Sequence, residues 1–503
     1  MPKIIKIPKT MATQHPDNAR APYWEKDGDG FVNSREETAE CVEAFRNLGV
    51  EEFMWDWEGK FADEAVIDRL FHHYFDYFKK HPLGLEKRLT FRIPNIWQEK
   101  GYSLIRSLMV MLTSEDFARD LKFHSPPLFE VILPMTEKAK QLIFIQKSFQ
   151  ELSLLKSKMF SKFRKNTEYI QIIPLFEDVH TQINAKKILK EYFKLHKKTF
   201  GFNPAYLRVF IARSDPAMVS GLVPTVLANK IILSDLRELE KESGIRIFPI
   251  LGAGSLPFRG GLSPLTIKEF NFEYPGVNTI TIQSAFRYDY PITKVRQAIK
   301  YYNKRSFNQS QIISKVNRKK IINLITIFEK EYGLGLKKVV SDLKFIFSSF
   351  PRRRERHLHI GLISYGRKIN KTSLPRAITF TGSFYSLGIP PEFLDIGAIS
   401  KLKLDNFTLL HKYYKNYIKN ITQAGKFLNW QNLKKLAQKS KGWEKIIGDI
   451  KKAENILKIK FGPRNKKEFL HSKFTSLLLR SKTNHKKVKK LITQIGILQK
   501  SLG

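Results

Sequence analysis

The chain has 503 residues, 42% hydrophobic and 12% aromatic, enough for two or three domains or for one large α/β barrel with insertions. It carries 88 Lys and Arg against 47 Asp and Glu, a net charge of +41. A single cysteine, Cys41, excludes an intrachain disulfide and a cysteine-based zinc site and fits a reducing cytoplasm. No apolar run reaches 18 residues, which argues against a membrane helix. The first residues lack a signal-peptide core, so secretion is not expected. From Lys401 onward there are 26 Lys or Arg and 5 Asp or Glu, so about half the charge excess sits in the last fifth of the chain. There lysines alternate with Ile, Leu and Phe, as in LKKLAQKSKGWEKIIGDIKK. That is the pattern of amphipathic helices with a solvated basic face, and it favours compositional bias over a nucleic-acid site.

Residues 1–33 are punctuated by Pro and Gly and read as an extended N-terminal arm. Within it stands Thr13-Gln14-His15-Pro16-Asp17-Asn18. Pro16 biases His15 away from helix, so His15 is either an ordinary loop residue or a base carried on a rigid segment. SREETAECVEAFRNLG predicts a helix from Ser34, with capping-box spacing to Glu37 and a stop at Gly49. Eight strand-like runs follow: EEFMWDW, RLTFRI, FEVILPM, YIQIIPLF, LRVFIA, IRIFPIL, NTITIQ and LHIGLIS. They are continuously apolar and alternate with helical patterns, which predicts parallel strands buried on both faces. The fold class is therefore α/β, a (β/α)8 TIM-like barrel over about 34–400, elaborated with additional α-helices. One long helical pattern runs over 292–349. A basic helical extension occupies 401–503.

In such a barrel chemistry collects at the C-terminal ends of the strands. Glu177 in PLFED and Asp215 in ARSDPAM each follow an apolar run. Two converging carboxylates suit a hard divalent cation, Mg²⁺ or Mn²⁺; alternatively, each caps a helix or pairs with an arginine. Arg92, Arg213, Arg259, Arg287, Arg367 and Arg376 lie mostly near strand ends. Their planar forks match phosphate or carboxylate, and a ring of them around a metal implies a small polyanionic substrate. GAGSLPFRGGLSP, residues 252–264, is neither a P-loop nor a dinucleotide fingerprint. With Arg259 inside, it reads as an anion loop whose glycines expose backbone N–H groups, or as a mobile loop. The cluster RRRERHLHIGLISYGRK reads as a solvated basic face before a buried strand; His357 and His359 lack an evident third ligand.

Taken together, MATQHPDN, WDWEGK, VILPMT, PLFED, RVFIARSDPAM, GAGSLPFRGG, TIQSAFRYDYP and LPRAITFTGSFYSLGIPPE resemble, in order, the motifs of phosphoenolpyruvate carboxylases of the short, archaeal type. The resemblance covers roughly residues 10–400. It implies a helix-rich barrel assembled as a homotetramer, Mg²⁺ or Mn²⁺ as cofactor, and phosphoenolpyruvate and bicarbonate as substrates. By resemblance to the longer enzymes of the family, His15 assists carboxyl transfer, Glu177 and Asp215 bind metal, and Arg259 contributes to carboxylation. Arg367 and Arg92 correspond to phosphate-binding arginines. Ala253 stands where the longer enzymes have an arginine, and Arg213 is the candidate to replace it. Met218 stands where they have a lysine. Two rival readings are another metal-dependent phosphoenolpyruvate or pyruvate barrel lyase, and a basic nucleic-acid-binding protein. The second has no use for Glu177 and Asp215.

Overall fold

The computed structural model describes residues 6–25, 27–60, 62–99, 102–123, 125–160, 168–355, 368–369 and 372–503. Eight parallel strands close a barrel in chain order: β1 (Thr10–Thr13), β2 (Glu52–Asp56), β3 (Arg88–Arg92), β4 (Glu130–Leu133), β5 (Gln171–Phe176), β6 (Tyr206–Ala212), β7 (Arg246–Gly252) and β8 (Thr279–Ile282). All strand positions are buried except Gln171 at the start of β5 and Arg246, Phe248 and Gly252 in β7. Side chains pack inward on the lumen and outward on the helical ring, which is why these strands read as unbroken apolar runs.

One expected strand is replaced. TMAT, within the stretch read as an arm, is β1, paired to β2 through Met11 and Glu52 and to β8 through Met11 and Thr281. It is only four residues long, between Pro8 and the Gln14-His15-Pro16 turn, and offers too little apolar run to be recognised. The barrel closes without LHIGLIS, which lies outside the described residues. The first helix spans Glu37–Arg46 and starts at Glu36, with no side-chain cap. Ser34 does not cap it; its N–H donates to Glu355 Oε2 at 2.8 Å.

The lumen is layered. At the N-terminal ends of the strands Arg208 donates to Glu52 (2.6 and 2.8 Å) and Glu130 (2.9 Å), and Arg88 donates to Glu130 (2.6 Å). Above them an apolar plug of Met11, Met54, Ile132, Ile173, Leu175, Phe210, Ala212 and Ile250 fills the barrel. The mouth lies over this plug.

The predicted helices at 292–349 include Ile292–Lys304 and Lys315–Val339, and those of the tail run from Leu404–Tyr413 to His485–Gln499. The latter bury Trp443, Ile446, Ile450, Leu491 and Ile495 in a second core shared with Phe328, Phe380 and Leu227. Their lysines, such as Lys434, Lys435, Lys451 and Lys452, stay exposed. Among the described residues no helix is long and apolar enough to cross a membrane.

Candidate active site

A single pocket at the C-terminal ends of the strands collects Thr13, Gln14, His15, Asp56, Glu58, Arg92, Glu177, Arg213, Asp215, Arg259, Gln283 and Arg376. His15 follows β1 directly, and its segment is anchored rather than free. The His15 carbonyl accepts from Ser284 Oγ. Asp17, wholly buried, accepts from Ser284 Oγ, from the Ala285 N–H (3.2 Å) and from Arg259 Nη1 (3.1 Å). The Ala19 and Arg20 N–H groups donate to Asp289 at 2.8–2.9 Å. The extended residue that Pro16 imposes thus becomes a fixed bracket for an imidazole. Burial, then the positive charge of Arg92, with smaller contributions from Arg259 and Arg376 and against the pull of Asp56, holds His15 well below the ordinary histidine value. It is a neutral base at physiological pH. Its Nδ1 has no hydrogen-bond partner among the described residues.

Arg92 ends β3 and bridges three carboxylates. Its Nε donates to Asp56 Oδ1 (2.8 Å), and Nη1 lies 2.8 Å from Glu58 Oε2 and 3.9 Å from Glu177 Oε1. Burial alone would raise the Asp56 carboxyl; Arg92 and then Lys60 outweigh it and hold Asp56 below the usual carboxylate range. Asp56 and Glu58, within WDWEGK, are site residues the sequence reading did not single out. Their alternation at the end of an apolar run is the signal that would have found them. Glu177 after β5 and Asp215 after β6 line the same pocket, as the two strand ends predicted. Among the described residues no set of three or more His, Cys, Asp or Glu is arranged around a metal. Two carboxylates still fit a cation such as Mg²⁺, which binds one or two of them and fills its remaining positions with water and substrate oxygens.

The glycine-rich loop is rigid, and its amides are used internally. Gly254 N–H donates to Arg259 O (2.8 Å), Leu262 N–H to Gly254 O (2.9 Å), and Gly261 N–H to Leu256 O (2.9 Å), while Phe258 N–H donates to Glu392 (2.8 Å). The expected cradle of open N–H groups is absent there, and the loop instead presents the Arg259 side chain. Gly260 has φ +125°, and a Cβ on it would sit 2.6 Å from the Ala253 Cβ, so the turn needs glycine. Arg259 is buried and donates to Ser214 Oγ (3.2 Å), Asp17 Oδ2 (3.1 Å), Gly503 O (2.7 Å) and Gln283 Oε1 (2.8 Å). Those bonds take four of its five N–H groups. The Gly503 contact brings the end of the described tail to the site. Leu502 N–H also donates to Asp17 O at 2.9 Å, and Gly382 leaves the space in which the Leu502 carbonyl packs. Nothing in the basic composition of the tail signalled this.

The arginines divide. Arg213 borders the pocket, but its guanidinium donates to Phe258 O (3.0 Å), Pro257 O (3.5 Å) and Tyr274 OH (3.3 Å). From the pocket wall it also braces the glycine loop. Arg287 is not a pocket residue. It is buried beneath β1, donating to Thr13 O (2.6 Å) and pairing with Glu40 (3.1 Å), because the short Ser284–Tyr288 helix turns it toward the barrel wall. Arg376 borders the pocket at the start of the helix Ala377–Leu387. Arg367, Arg356, His357 and His359 lie outside the described residues. The solvated-face reading of the arginine cluster fails at Arg354, which is buried and paired to Glu37 (3.0 Å) and Glu40.

A family model described as phosphoenolpyruvate carboxylase matches residues 7–503. The chain is 45% identical over 469 residues to the phosphoenolpyruvate carboxylase of Leuconostoc mesenteroides subsp. mesenteroides, covering 93% of each chain. It is 43% identical over 481 residues to that of Oenococcus oeni, covering 94% of each. With that of Metallosphaera sedula it shares 36% over 517 residues and 99% of each chain. The match includes the basic tail, which the motifs had left uncovered, and the lengths agree with the short form of the enzyme. By sequence over nearly its whole length, and with a barrel mouth to match, the chain belongs to the phosphoenolpyruvate carboxylase family.

Proposed function

We propose that the chain carboxylates phosphoenolpyruvate with bicarbonate, giving oxaloacetate and phosphate, and so supplies four-carbon acids to central metabolism. The observation that carries this reading is a neutral, anchored histidine in one pocket with the guanidinium groups of Arg92, Arg259 and Arg376. Four arginines and four carboxylates line that pocket, so with His15 neutral the wall carries no net charge. A phosphoenolpyruvate trianion and bicarbonate would add four negative charges, which favours a divalent cation on Glu177 and Asp215. Bound there, Mg²⁺ or Mn²⁺ would supply Lewis-acid stabilisation of developing oxyanion charge.

The residues of the chain account for the remaining requirements. Arg92, Arg376 and, outside the described residues, Arg367 hold phosphate and carboxylate so that a bicarbonate oxygen is aligned with phosphorus. Attack forms the new P–O bond and breaks the bond to the enol oxygen, leaving carboxyphosphate and the enolate of pyruvate. His15 takes the carboxyphosphate proton. The C–O bond then breaks to release CO₂, and the proton returns to phosphate, leaving HPO₄²⁻. Enolate carbon attacks CO₂ to complete oxaloacetate. Arg259, fixed by Asp17, Gln283 and Ser214, places a preorganised charge near the transferring carboxyl. The apolar plug of Met54, Leu175 and Phe210 closes the pocket from below, where water would protonate the enolate to pyruvate. The same reading takes a homotetramer as the assembly and the cytoplasm as the setting. The test is oxaloacetate formation coupled to malate dehydrogenase. Bicarbonate-dependent turnover is expected; metal-dependent cleavage of phosphoenolpyruvate or a related acid without bicarbonate would overturn the proposal.

A further inference from the structure

We infer that the Gln14 side-chain amide, with the Thr13 hydroxyl beside it, binds the carboxyl group that originates as bicarbonate; the inference rests on the reaction proposed above. Gln14 is 1% exposed and Thr13 is fully buried, yet both border the pocket. Gln14 Oε1 accepts the Asp56 N–H at 2.9 Å, which fixes which end of the amide is oxygen. The other end, Nε2, has no hydrogen-bond partner among the described residues, and neither does Thr13 Oγ1. Asp56 gives its N–H to the amide oxygen, while its carboxylate faces Arg92 Nε (2.8 Å), the Glu58 N–H (3.1 Å) and Lys60 (3.9 Å). A buried donor left unpaired costs stability, and a run of them on consecutive residues at a pocket wall is a surface prepared for an acceptor.

The chemistry of the donors selects which part of the reactants they meet. The phosphate and carboxylate of phosphoenolpyruvate carry three charges and suit guanidinium groups. Bicarbonate carries one, and the CO₂ released from it carries none. Neutral amide and hydroxyl donors hold such a group in place without forming an ion pair that would oppose its loss of charge. Gln14 also precedes His15, so the donors and the base that removes the proton are adjacent on one fixed strand end.

Gln14→Met removes the amide, and Gln14→Glu removes the donor but keeps an acceptor for the Asp56 N–H. Steady-state kinetics on the full-length enzyme should show the bicarbonate KM raised about tenfold or more in both, the scale of a lost hydrogen bond to a charged group. The phosphoenolpyruvate KM should stay within about twofold of wild type, a size set by the same scale. Phosphate release should exceed oxaloacetate formation. Thr13→Val should shift the bicarbonate KM in the same direction by less, and serves as the readout if either Gln14 variant fails to fold. An unchanged bicarbonate KM, or parallel rises in both KM values, overturns the inference while leaving the proposed reaction standing. Absence of bicarbonate-dependent oxaloacetate from the wild-type enzyme overturns both.

Discussion

The two ends of the barrel lumen use the same residue types for opposite ends. At the floor, Arg208 and Arg88 meet Glu52 and Glu130, two charges of each sign, and every carboxylate is engaged at 2.6–2.9 Å. At the mouth, arginines and carboxylates also balance, but Thr13 Oγ1, Gln14 Nε2 and His15 Nδ1 have no partner among the described residues. Burial and charge alone do not separate a strut from a site. What separates them is how many polar atoms are already satisfied: among these four floor side chains only Arg208 Nε lacks a partner within the described residues. The floor is nearly saturated; the mouth keeps donors on Thr13 and Gln14 that no acceptor fills among the described residues.

That contrast breaks most severely at Arg208. Arg208→Met leaves Glu52 without an arginine in a dry lumen and Glu130 with Arg88 alone; it should cost about 3–5 kcal/mol of stability, read as a large drop in melting temperature, with turnover per folded molecule retained. His15→Asn should do the reverse. Oxaloacetate formation should fall about 10²–10⁴-fold, the range for a lost general base, with bicarbonate-dependent phosphate release persisting and the melting temperature nearly unchanged. Unchanged oxaloacetate production would remove His15 from the reaction. Gly260→Ala should affect both readouts. Its φ of +125° and the 2.6 Å approach to Ala253 should cost about 1–3 kcal/mol, and misplacement of Arg259 should lower kcat.

The protonation of His15 sharpens the comparison further. Its folded value is depressed below 6.5, so its contribution to stability is complete above the unfolded value and is lost as pH falls toward the folded one. In the free enzyme the acid limb of kcat/KM should therefore lie below pH 6.5. A limb at or above that value, measured across a pH series at saturating metal, would contradict the neutral-base assignment. The smallest effect belongs far from either end of the lumen. Asn465 caps the helix Lys466–Arg480 by accepting the Glu468 N–H, and Asn465→Ala should cost about 1 kcal/mol with catalysis intact.

Seven of the barrel strands were legible because burial on both faces writes an unbroken apolar run. The eighth was not, because β1 is four residues long and its role depends on neighbours at β2 and β8, distant in sequence. Glu177, Asp215, Arg92 and Arg259 were found by reading just past each strand, a consequence of parallel topology, whereas Arg376 reaches the same pocket from the start of the helix Ala377–Leu387. Arg287 fits that rule and still points elsewhere, since the short helix carrying it turns toward Glu40, a partner with no mark in the local sequence. Arg213 and Arg259 look alike as neighbours of a glycine loop. Both border the pocket, and only their acceptors, two backbone carbonyls and Tyr274 for one and Asp17, Gln283, Ser214 and the tail for the other, show what each holds in place.

The position of β1 has a consequence for how the enzyme comes into being. This strand leaves the ribosome first, yet its second neighbour, β8, follows only after β2 to β7, on the order of tens of seconds later at ordinary synthesis rates. The bracket around His15 is finished later still, when Leu502 reaches Asp17. The barrel thus closes in one late step, and the segment around His15 is fastened in a second, later one. A nascent chain short of β8 holds a ring with a missing stave.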